Sequence, residues 1–272
     1  MLTLVSAKFA TVEELFKYKN QGFKLKKFPG YTYDQWGIKA HNRPWIEDVG
    51  RFKQGQKIIE VGGAYSTLPN YLAKKYKLEA WIGDDFGITE GNEIWKRWGD
   101  PKENAKKNPF TKYAYKEFGI FSKDYPNNYF NRVFSVSTLE HIHIEKRIKV
   151  FEDMNRCTKK GGMQIHAIDI VTRNLKECFI NSVADKIPLF DSENILLGRD
   201  VRRGLVSEIK SWKQVLINSG IKIDTKLPSI FEQLNRSTLA ESPDVIYRFI
   251  PPKNSVKDYK PTASLLLIIK DL

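Results

Sequence analysis

Short apolar runs alternate with amphipathic stretches through most of the chain. The amphipathic stretches place apolar residues at helical spacing, as at Leu68, Leu72 and Ala73. Strand candidates begin at Lys57 and lie at residues 78–86, 113–118, within 125–142, and at 163–170, 221–226, 245–250 and 263–270. Helix candidates lie at 12–19 with Thr11 as N-cap, around Pro44, and at 93–98, 145–156 and 211–220. This alternation predicts an α/β fold with a mostly parallel sheet.

The first of these strands leads into a glycine turn. Glu60 stands near the end of the apolar run, and Gly62 and Gly63 follow it. Glycines at this point let the backbone turn sharply and approach a ligand, because a side chain would fill that space. Since open α/β sheets bind ligands at the carboxyl ends of their strands, we expect a binding site here.

The next strand ends in a second acidic site. Asp84 and Asp85 close the run 78–86, and Asp85 follows Gly63 by 22 positions. That spacing is close to the roughly 20 residues expected for a carboxylate that binds ribose hydroxyls. The loop lacks the G-x-G-x-x-G pattern that cradles a pyrophosphate. A nucleoside ligand without phosphate is therefore the better match.

Three stretches in order resemble the class I S-adenosylmethionine-dependent methyltransferases. The segment 60–66 reads Glu-Val-Gly-Gly-Ala-Tyr-Ser, similar to that family's acid-x-Gly-x-Gly-x-Gly motif with Ala64 and Ser66 at the later glycines. The segment 125–142 contains the family's Leu-Glu-His, and 154–169 resembles its Leu-Lys-Pro-Gly-Gly turn into the fifth strand. Together the motifs span residues 57–170.

The resemblance implies a fold, a cofactor and an activity. The fold is a doubly wound, mostly parallel, seven-stranded Rossmann-like sheet, and the cofactor is S-adenosyl-L-methionine. The family often carries an acid after the third strand that touches adenine, and Gly119, Ile120 and Phe121 stand there in this sequence. Backbone contacts and apolar packing on adenine are therefore expected, with Phe86 and Phe121 as candidates; core packing is the alternative for Phe121. The residues predicted to bind the cofactor are Glu60, Gly62, Gly63, Tyr65, Asp84, Asp85, Phe86, Ile120, Phe121, Ser135 and Ser137.

Nothing along the chain marks a linker, so residues 1–272 are read as one domain. The core is predicted at 51–170, after an N-terminal segment 1–50 that the resemblance implies is a lid; packing against a sheet edge is the alternative. Insertions at 171–208 and 228–262 are expected to carry acceptor specificity, because loops at the carboxyl end of a sheet vary with substrate. Arg199, Arg202 and Arg203 in the first insertion suit an anionic acceptor; solvated surface arginines are the alternative.

Few side chains are candidates for catalysis. Methyl transfer requires alignment of acceptor and methyl group, and a hydroxyl acceptor requires a base in addition. His143 follows the fourth strand and is the first candidate base, an exposed histidine at a helix start being the alternative. Asp169 is better placed than His166 at the end of the fifth strand, and His141 belongs to the Leu-Glu-His motif. No metal site is expected, because histidines two apart diverge.

Composition leaves three function classes open. The net charge of +13, from 45 basic and 32 acidic residues among 272, fits an anionic partner or a solvated lysine surface. Two cysteines, no apolar run long enough for a membrane span, and an N-terminus unlike a signal peptide favour a cytoplasmic protein. A small-molecule O-methyltransferase is the leading hypothesis. An RNA or other nucleic-acid methyltransferase and a non-catalytic binding module are the alternatives; the oligomeric state stays open.

Overall fold

A computed structural model describes residues 1–21, 39–87, 99–171, 209–227, 240–241 and 262–272 of the chain. The strands are β1 (Leu2–Phe9), β2 (Lys57–Val61), β3 (Glu79–Gly83), β4 (Thr111–Ala114), β5 (Phe130–Val136), β6 (Thr158–Val171), β7 (Lys222–Ile223), β8 (Ala240–Glu241) and β9 (Thr262–Asp271). The helices are α1 (Val12–Asn20), α2 (Lys39–Gly50), α3 (Leu68–Tyr76), α4 (Pro101–Lys107), α5 (Ile144–Cys157) and α6 (Ile209–Asn218), with a 3-10 turn at Leu139–His141.

One mixed sheet contains all of these strands. Its order is β4-β3-β2-β5-β6-β9-β1-β7, and β8 pairs with β9. The strands β4, β3, β2, β5 and β6 are parallel, while β9 runs antiparallel to both β6 and β1. The predicted doubly wound, mostly parallel α/β fold is confirmed, with nine strands in the described part of the chain rather than seven.

The N-terminal strand was not predicted. For residues 1–50 the sequence left a lid and packing against a sheet edge as alternatives. Leu2–Phe9 pairs antiparallel with β9 along its length and parallel with β7 at Thr3 and Leu4. Leu4 is fully buried, and Phe9 is nearly so. The strand pattern is weak because Ser6 and Lys8 interrupt the apolar positions, so β9 supplies the pairing that stabilises it.

Two hydrophobic layers cover the sheet. Side chains alternate along β6, so that Ala167 packs under α1 and α2 while Ile168 packs on the side of α5 and α6. The amino-terminal helix α1 is capped as predicted. The Thr11 hydroxyl accepts the Glu14 amide at 3.2 Å, and Glu14 accepts the Thr11 amide in return at 3.2 Å.

The helix α2 runs from the carboxyl edge of the sheet to the amino edge. The Arg132 guanidinium, near the start of β5, donates to the carbonyl of Gly50 at 2.7 Å, which places the end of α2 at the amino edge. Its first turn, at Lys39–Arg43, therefore lies over the carboxyl edge. The predicted helix contains Pro44 in its interior.

Other predicted boundaries shift by a few residues. The third parallel strand ends at Ala114 rather than at 118, and β7 is limited to two residues. The helix predicted at 93–98 and the strand predicted at 245–250 lie outside the described residues. Within the described ranges, no helix is long and apolar enough to cross a membrane.

Candidate active site

The turn between β2 and α3 has room for glycine only. Gly62 adopts a φ of 65°, in the left-handed region, and its amide donates to the carbonyl of Gly83 at 2.8 Å. A Cβ on Gly62 would lie 1.9 Å from Cγ2 of Thr138. The Thr138 hydroxyl donates to the Gly62 carbonyl at 3.0 Å, so the segment after β5 closes the turn from above.

Asp84 connects the loop that follows β2 to the loop that follows β3. Its carboxylate accepts the Ala64 amide at 2.9 Å and the Phe86 amide at 2.6 Å. Burial raises the pKa of Asp84 to about 6, although these two backbone hydrogen bonds lower it. Each carboxylate oxygen of Asp84 accepts one backbone amide, so Asp84 fixes the shape of the corner formed by the glycine turn after β2 and the loop after β3.

Glu60 is a buried acid on the floor of the corner. Its side chain is 3% exposed, and Oε2 has no hydrogen-bond partner in the described part of the chain. Burial raises the pKa of Glu60 to about 7, against the opposing effects of a hydrogen bond from Ser66 and the positive charge of Arg43. A cationic group bound nearby would stabilise the carboxylate form.

Aromatic rings line the corner beside Asp85. Phe86 is 3% exposed, and its ring lies 5.5 Å from that of Tyr65 and 5.6 Å from that of Tyr115. Tyr113 stacks on Tyr115 with 6.2 Å between ring centroids. Asp85 is half-buried and accepts the amide of Gly87 at 2.9 Å. The structure thus brings Glu60, Gly62, Gly63, Tyr65, Asp84, Asp85 and Phe86 to one corner.

Ser135 does not face this corner. Its hydroxyl is fully buried and lies 2.9 Å from Nδ1 of His166, its parallel-strand neighbour. Burial lowers the pKa of His166 to about 3, so this histidine is neutral. Residue alternation points the Ser135 side chain toward α5, so it is not among the side chains that the structure brings to the glycine turn. Ser137, two positions on, has a φ of 51° and a buried hydroxyl without a partner in the described residues.

Ile120 and Phe121 lie along α5 instead of at the strand ends. The Phe121 amide donates to Asp153 at 3.1 Å, in the third turn of α5. Ile120 and Phe121 are 51% and 45% exposed, and Phe121 borders an open depression of about 400 Å³ with Tyr125 and Arg156. The two residues are therefore not among those that the structure brings together around Asp85, and their packing on adenine stays a prediction.

The candidate bases lie on the segment that leaves β5 and on β6. His141 ends the 3-10 turn with a 57% exposed side chain, and His143 caps α5 with a 68% exposed side chain. Arg147 holds this segment, donating to the Ile142 carbonyl at 2.8 Å and to the Glu140 carbonyl at 3.0 Å. The segment is therefore fixed while both imidazoles remain accessible.

Asp169 lies at the carboxyl end of β6, two strands from β2. The predicted acceptor residues Arg199, Arg202 and Arg203 lie outside the described residues. Among the described residues, no group of three or more His, Cys, Asp or Glu side chains could hold a metal ion.

Sequence reasoning missed three residues of the corner. Thr138 closes the glycine turn, Arg43 lies near Glu60, and Ala64 donates its amide to Asp84 despite a φ of 41°. The available signal for Thr138 was its hydroxyl side chain, because Thr138 directly follows a strand that was expected to end beside the glycine turn. Arg43 had no such signal, because its position depends on how α2 crosses the sheet.

Comparison with known proteins identifies the fold. No protein-family model matches the sequence, and no curated protein matches it significantly. Among solved structures, the Haemonchus contortus phosphoethanolamine N-methyltransferase 2 in complex with S-adenosyl-L-methionine has a TM-score of 0.53 at 16% identity, covering 95% of this chain and 57% of the other. A candidate methyltransferase from Bacillus halodurans C-125 has a TM-score of 0.50 at 12% identity, covering 85% and 98%.

The chain therefore has the fold of the S-adenosylmethionine-dependent methyltransferases, as the sequence resemblance predicts. It spans 57% of the length of the nematode enzyme. A second structure of that enzyme, with phosphomonomethylethanolamine and S-adenosylhomocysteine, matches with a TM-score of 0.52 at the same 16% identity.

Proposed function

We propose that this protein transfers the methyl group of S-adenosyl-L-methionine to an oxygen atom of a small-molecule acceptor. The observation that carries the proposal is the corner itself: a glycine turn closed by Thr138, with carboxylates at the ends of two adjacent strands. The turn has no third glycine for a pyrophosphate, so it favours a nucleoside ligand.

Each residue of the corner has a distinct role in this proposal. Asp85 accepts hydrogen bonds from the ribose hydroxyls, and Phe86 and Tyr115 pack against adenine. Glu60 faces the ammonium group of the methionine portion, while Gly62 lets the backbone approach it. Asp84 keeps the two loops in register through its backbone hydrogen bonds. The cofactor supplies an activated methyl group; the chain supplies orientation.

The proposed acceptor is a sugar, a phosphate-bearing compound or a carboxylate. The nematode enzyme of the same fold acts, by its name, on phosphoethanolamine, a small anionic compound. The net charge of +13 favours an anionic acceptor in the same way. His143 is the proposed base for a hydroxyl acceptor, since it lies on the fixed segment after β5 and is exposed.

Replacement of Asp85 by alanine should weaken binding of S-adenosylhomocysteine at least tenfold. Hydrogen bonds to a charged group contribute about 1.5–3 kcal/mol each, and the ribose would lose the carboxylate that accepts them. Isothermal titration calorimetry measures the change. Asp124→Ala, at an exposed aspartate outside the corner, is the control and should bind normally.

Unchanged affinity in Asp85→Ala would remove Asp85 from the ribose site. The variant Asp84→Asn distinguishes the structural role of Asp84 from the binding role of Asp85. An asparagine side chain has one acceptor oxygen, so it would lose one of the two backbone hydrogen bonds that Asp84 accepts. We expect Asp84→Asn to lower the melting temperature, and Asp85→Ala to leave it nearly unchanged.

Affinity for S-adenosylhomocysteine should rise as the pH increases through about 7. Burial raises the pKa of Glu60 to about 7, so the carboxyl is protonated at lower pH and ionised above it. An ammonium group binds the ionised form, and binding should release up to one proton near the midpoint. Calorimetry at about pH 6 and about pH 8 measures the difference, and Glu60→Gln should abolish it. A pH-independent affinity in the unaltered protein would contradict the assigned position of the ammonium group.

The alternatives give different results in the same assays. Cofactor binding without methylated product across a broad acceptor panel would indicate a binding module. RNA binding that weakens steeply with salt, together with RNA methylation, would indicate a nucleic-acid methyltransferase.

A further inference from the structure

Exposed lysines follow the amino edge of the sheet, on the side opposite the glycine turn. The parallel strands β4, β3, β2, β5 and β6 begin at this edge, and β9, which is antiparallel to β6, ends there. Each lysine of the row lies near a strand terminus or in the turn before a strand. We call the row the basic edge; it consists of Lys53, Lys77, Lys112, Lys159, Lys222 and Lys270.

Backbone contacts and strand register place these lysines in one row. The Gly55 amide, in the turn between α2 and β2, donates to the Lys77 carbonyl at 3.1 Å, so the turns before β2 and β3 lie side by side. Thr3 on β1 pairs with Lys270 on one side and with Lys222 on the other. At about 4.8 Å between neighbouring strands, the steps from β4 to β7 make the row about 34 Å long.

The two edges of the sheet carry opposite charge in the described part of the chain. The acids at the amino-edge strand termini are Glu79 and Asp271, and both are paired. Glu79 lies 3.3 Å from the Lys112 ammonium, while Asp271 pairs with the amino terminus and accepts the Gly161 amide at 2.9 Å. The carboxyl edge instead carries the acids of the corner and Asp169. The lysines of the basic edge therefore form a distinct positive surface.

The chemistry and length of the basic edge select a partner rich in phosphate. A lysine ammonium is a compact point charge that binds phosphate without a required orientation. Duplex DNA carries one phosphate charge for about every 1.7 Å of its axis, so a row about 34 Å long matches about one helical turn. A bilayer surface would favour inserted apolar side chains as well. Among the described residues, Phe110 is the exposed large apolar side chain beside the row, apart from the two terminal residues.

We propose that the basic edge binds the phosphate backbone of double-stranded nucleic acid without sequence preference. Contacts to phosphate carry no sequence information by themselves, and lysines alone make up the row. The inference goes beyond the proposed function and does not depend on it. Since the basic edge and the glycine turn lie at opposite edges of the sheet, a bound duplex would leave the cofactor site open.

Fluorescence anisotropy with a labelled RNA duplex of about 20 base pairs, and with the same sequence as DNA, tests the basic edge. The edge variant carries Lys53→Gln, Lys77→Gln and Lys159→Gln, which remove charge beside three strands. At about 100 mM salt its affinity for either duplex should fall at least about tenfold. The slope of log affinity against log salt should become shallower by about 2.7, because each lost phosphate contact removes about 0.9.

A matched variant separates the position of the charges from their number. It carries Lys116→Gln, Lys149→Gln and Lys213→Gln, at exposed lysines after β4, on α5 and on α6. Both triple variants lower the net charge equally. The matched variant should keep its affinity within about threefold, because exposed charges more than about 10 Å from the duplex are screened at this salt concentration.

Lysine acetylation read by mass spectrometry locates the duplex on the unaltered protein, without any substitution. Bound duplex should protect Lys77 and Lys159 from acetic anhydride and leave Lys116 and Lys149 reactive. S-adenosylhomocysteine should not displace the duplex, because it is expected at the other edge of the sheet. In the edge variant, calorimetry should show normal binding of S-adenosylhomocysteine.

Four results would overturn the basic edge: no duplex binding by the unaltered protein, equal losses in the two triple variants, protection of Lys116 and Lys149 instead, or displacement of the duplex by S-adenosylhomocysteine. Binding to vesicles of anionic phospholipid, with no binding of either duplex, would assign the edge to a membrane surface and also overturn the proposal. Absence of S-adenosylhomocysteine binding in the unaltered protein contradicts the proposed function alone, whereas these results contradict the basic edge alone.

Discussion

Gly62→Ala should abolish measurable binding of S-adenosylhomocysteine, with a loss of about 100-fold or more. The new methyl group would begin 1.9 Å from Cγ2 of Thr138, a separation that forces one of the two segments to move. Left-handed backbone in a non-glycine residue costs about 1–2 kcal/mol, and overpacking costs about 1–3 kcal/mol more. If the turn must re-form before the cofactor binds, each 1.4 kcal/mol of this cost lowers the affinity about tenfold. Calorimetry and thermal melting measure the two effects.

Matched glycines separate the steric clash from backbone strain. Gly55 has a φ of 78°, and a Cβ added there would meet no atom within 4 Å, so Gly55→Ala reports strain alone at a remote turn. Adding Thr138→Ser to Gly62→Ala removes Cγ2 and retains the hydroxyl bonded to the Gly62 carbonyl. This double variant should recover part of the affinity. Normal binding by Gly62→Ala would show that the turn does not approach the cofactor.

His143→Ala should lower turnover of a hydroxyl acceptor about a hundredfold while leaving cofactor affinity nearly unchanged. General-base assistance contributes about 10²–10⁴ in rate, and the exposed imidazole makes no side-chain cap hydrogen bond that folding would lose. Steady-state assays with the acceptor found by product screening give kcat and KM. Lys149→Ala, at an exposed position of α5, is the control and should keep its rate.

A near-normal rate in His143→Ala would remove this histidine from the mechanism. An acceptor that is already an anion needs no base, so that outcome would favour a phosphate or carboxylate oxygen as the methylated atom. It would also leave Asp169 and His141 as the remaining candidate bases for a hydroxyl acceptor, which Asp169→Asn and His141→Ala would test.

The sequence predicted the corner well because the residues that form it lie close together along the chain. A strand, a glycine turn and a helix occupy consecutive residues, and the acid on the next strand follows at a fixed spacing. Glu60, Gly62 and Asp85 could therefore be located before the structure. Asp84 and Asp85 are adjacent, and only the hydrogen bonds of Asp84 to Ala64 and Phe86 distinguish their roles.

The sequence was less informative where position depends on distant packing. Ser135 was expected at the cofactor, but which face of β5 it occupies depends on the pairing with His166. Phe121 was placed by analogy of spacing after β4, and its amide is instead held by Asp153 on α5. The N-terminal strand could not be predicted because its partner, β9, lies at the other end of the sequence.

That pairing constrains the order in which the protein can fold. The strand β9 lies between β6 and β1, so the strand β1 has its main partner only after β9 has left the ribosome. Contacts of such long sequence separation slow folding, because loop closure precedes the gain from pairing. During synthesis, β6 and β1 both expose unpaired edges that invite intermolecular pairing. Deleting β9 would leave the glycine turn and its acids in place yet divide the sheet into two parts.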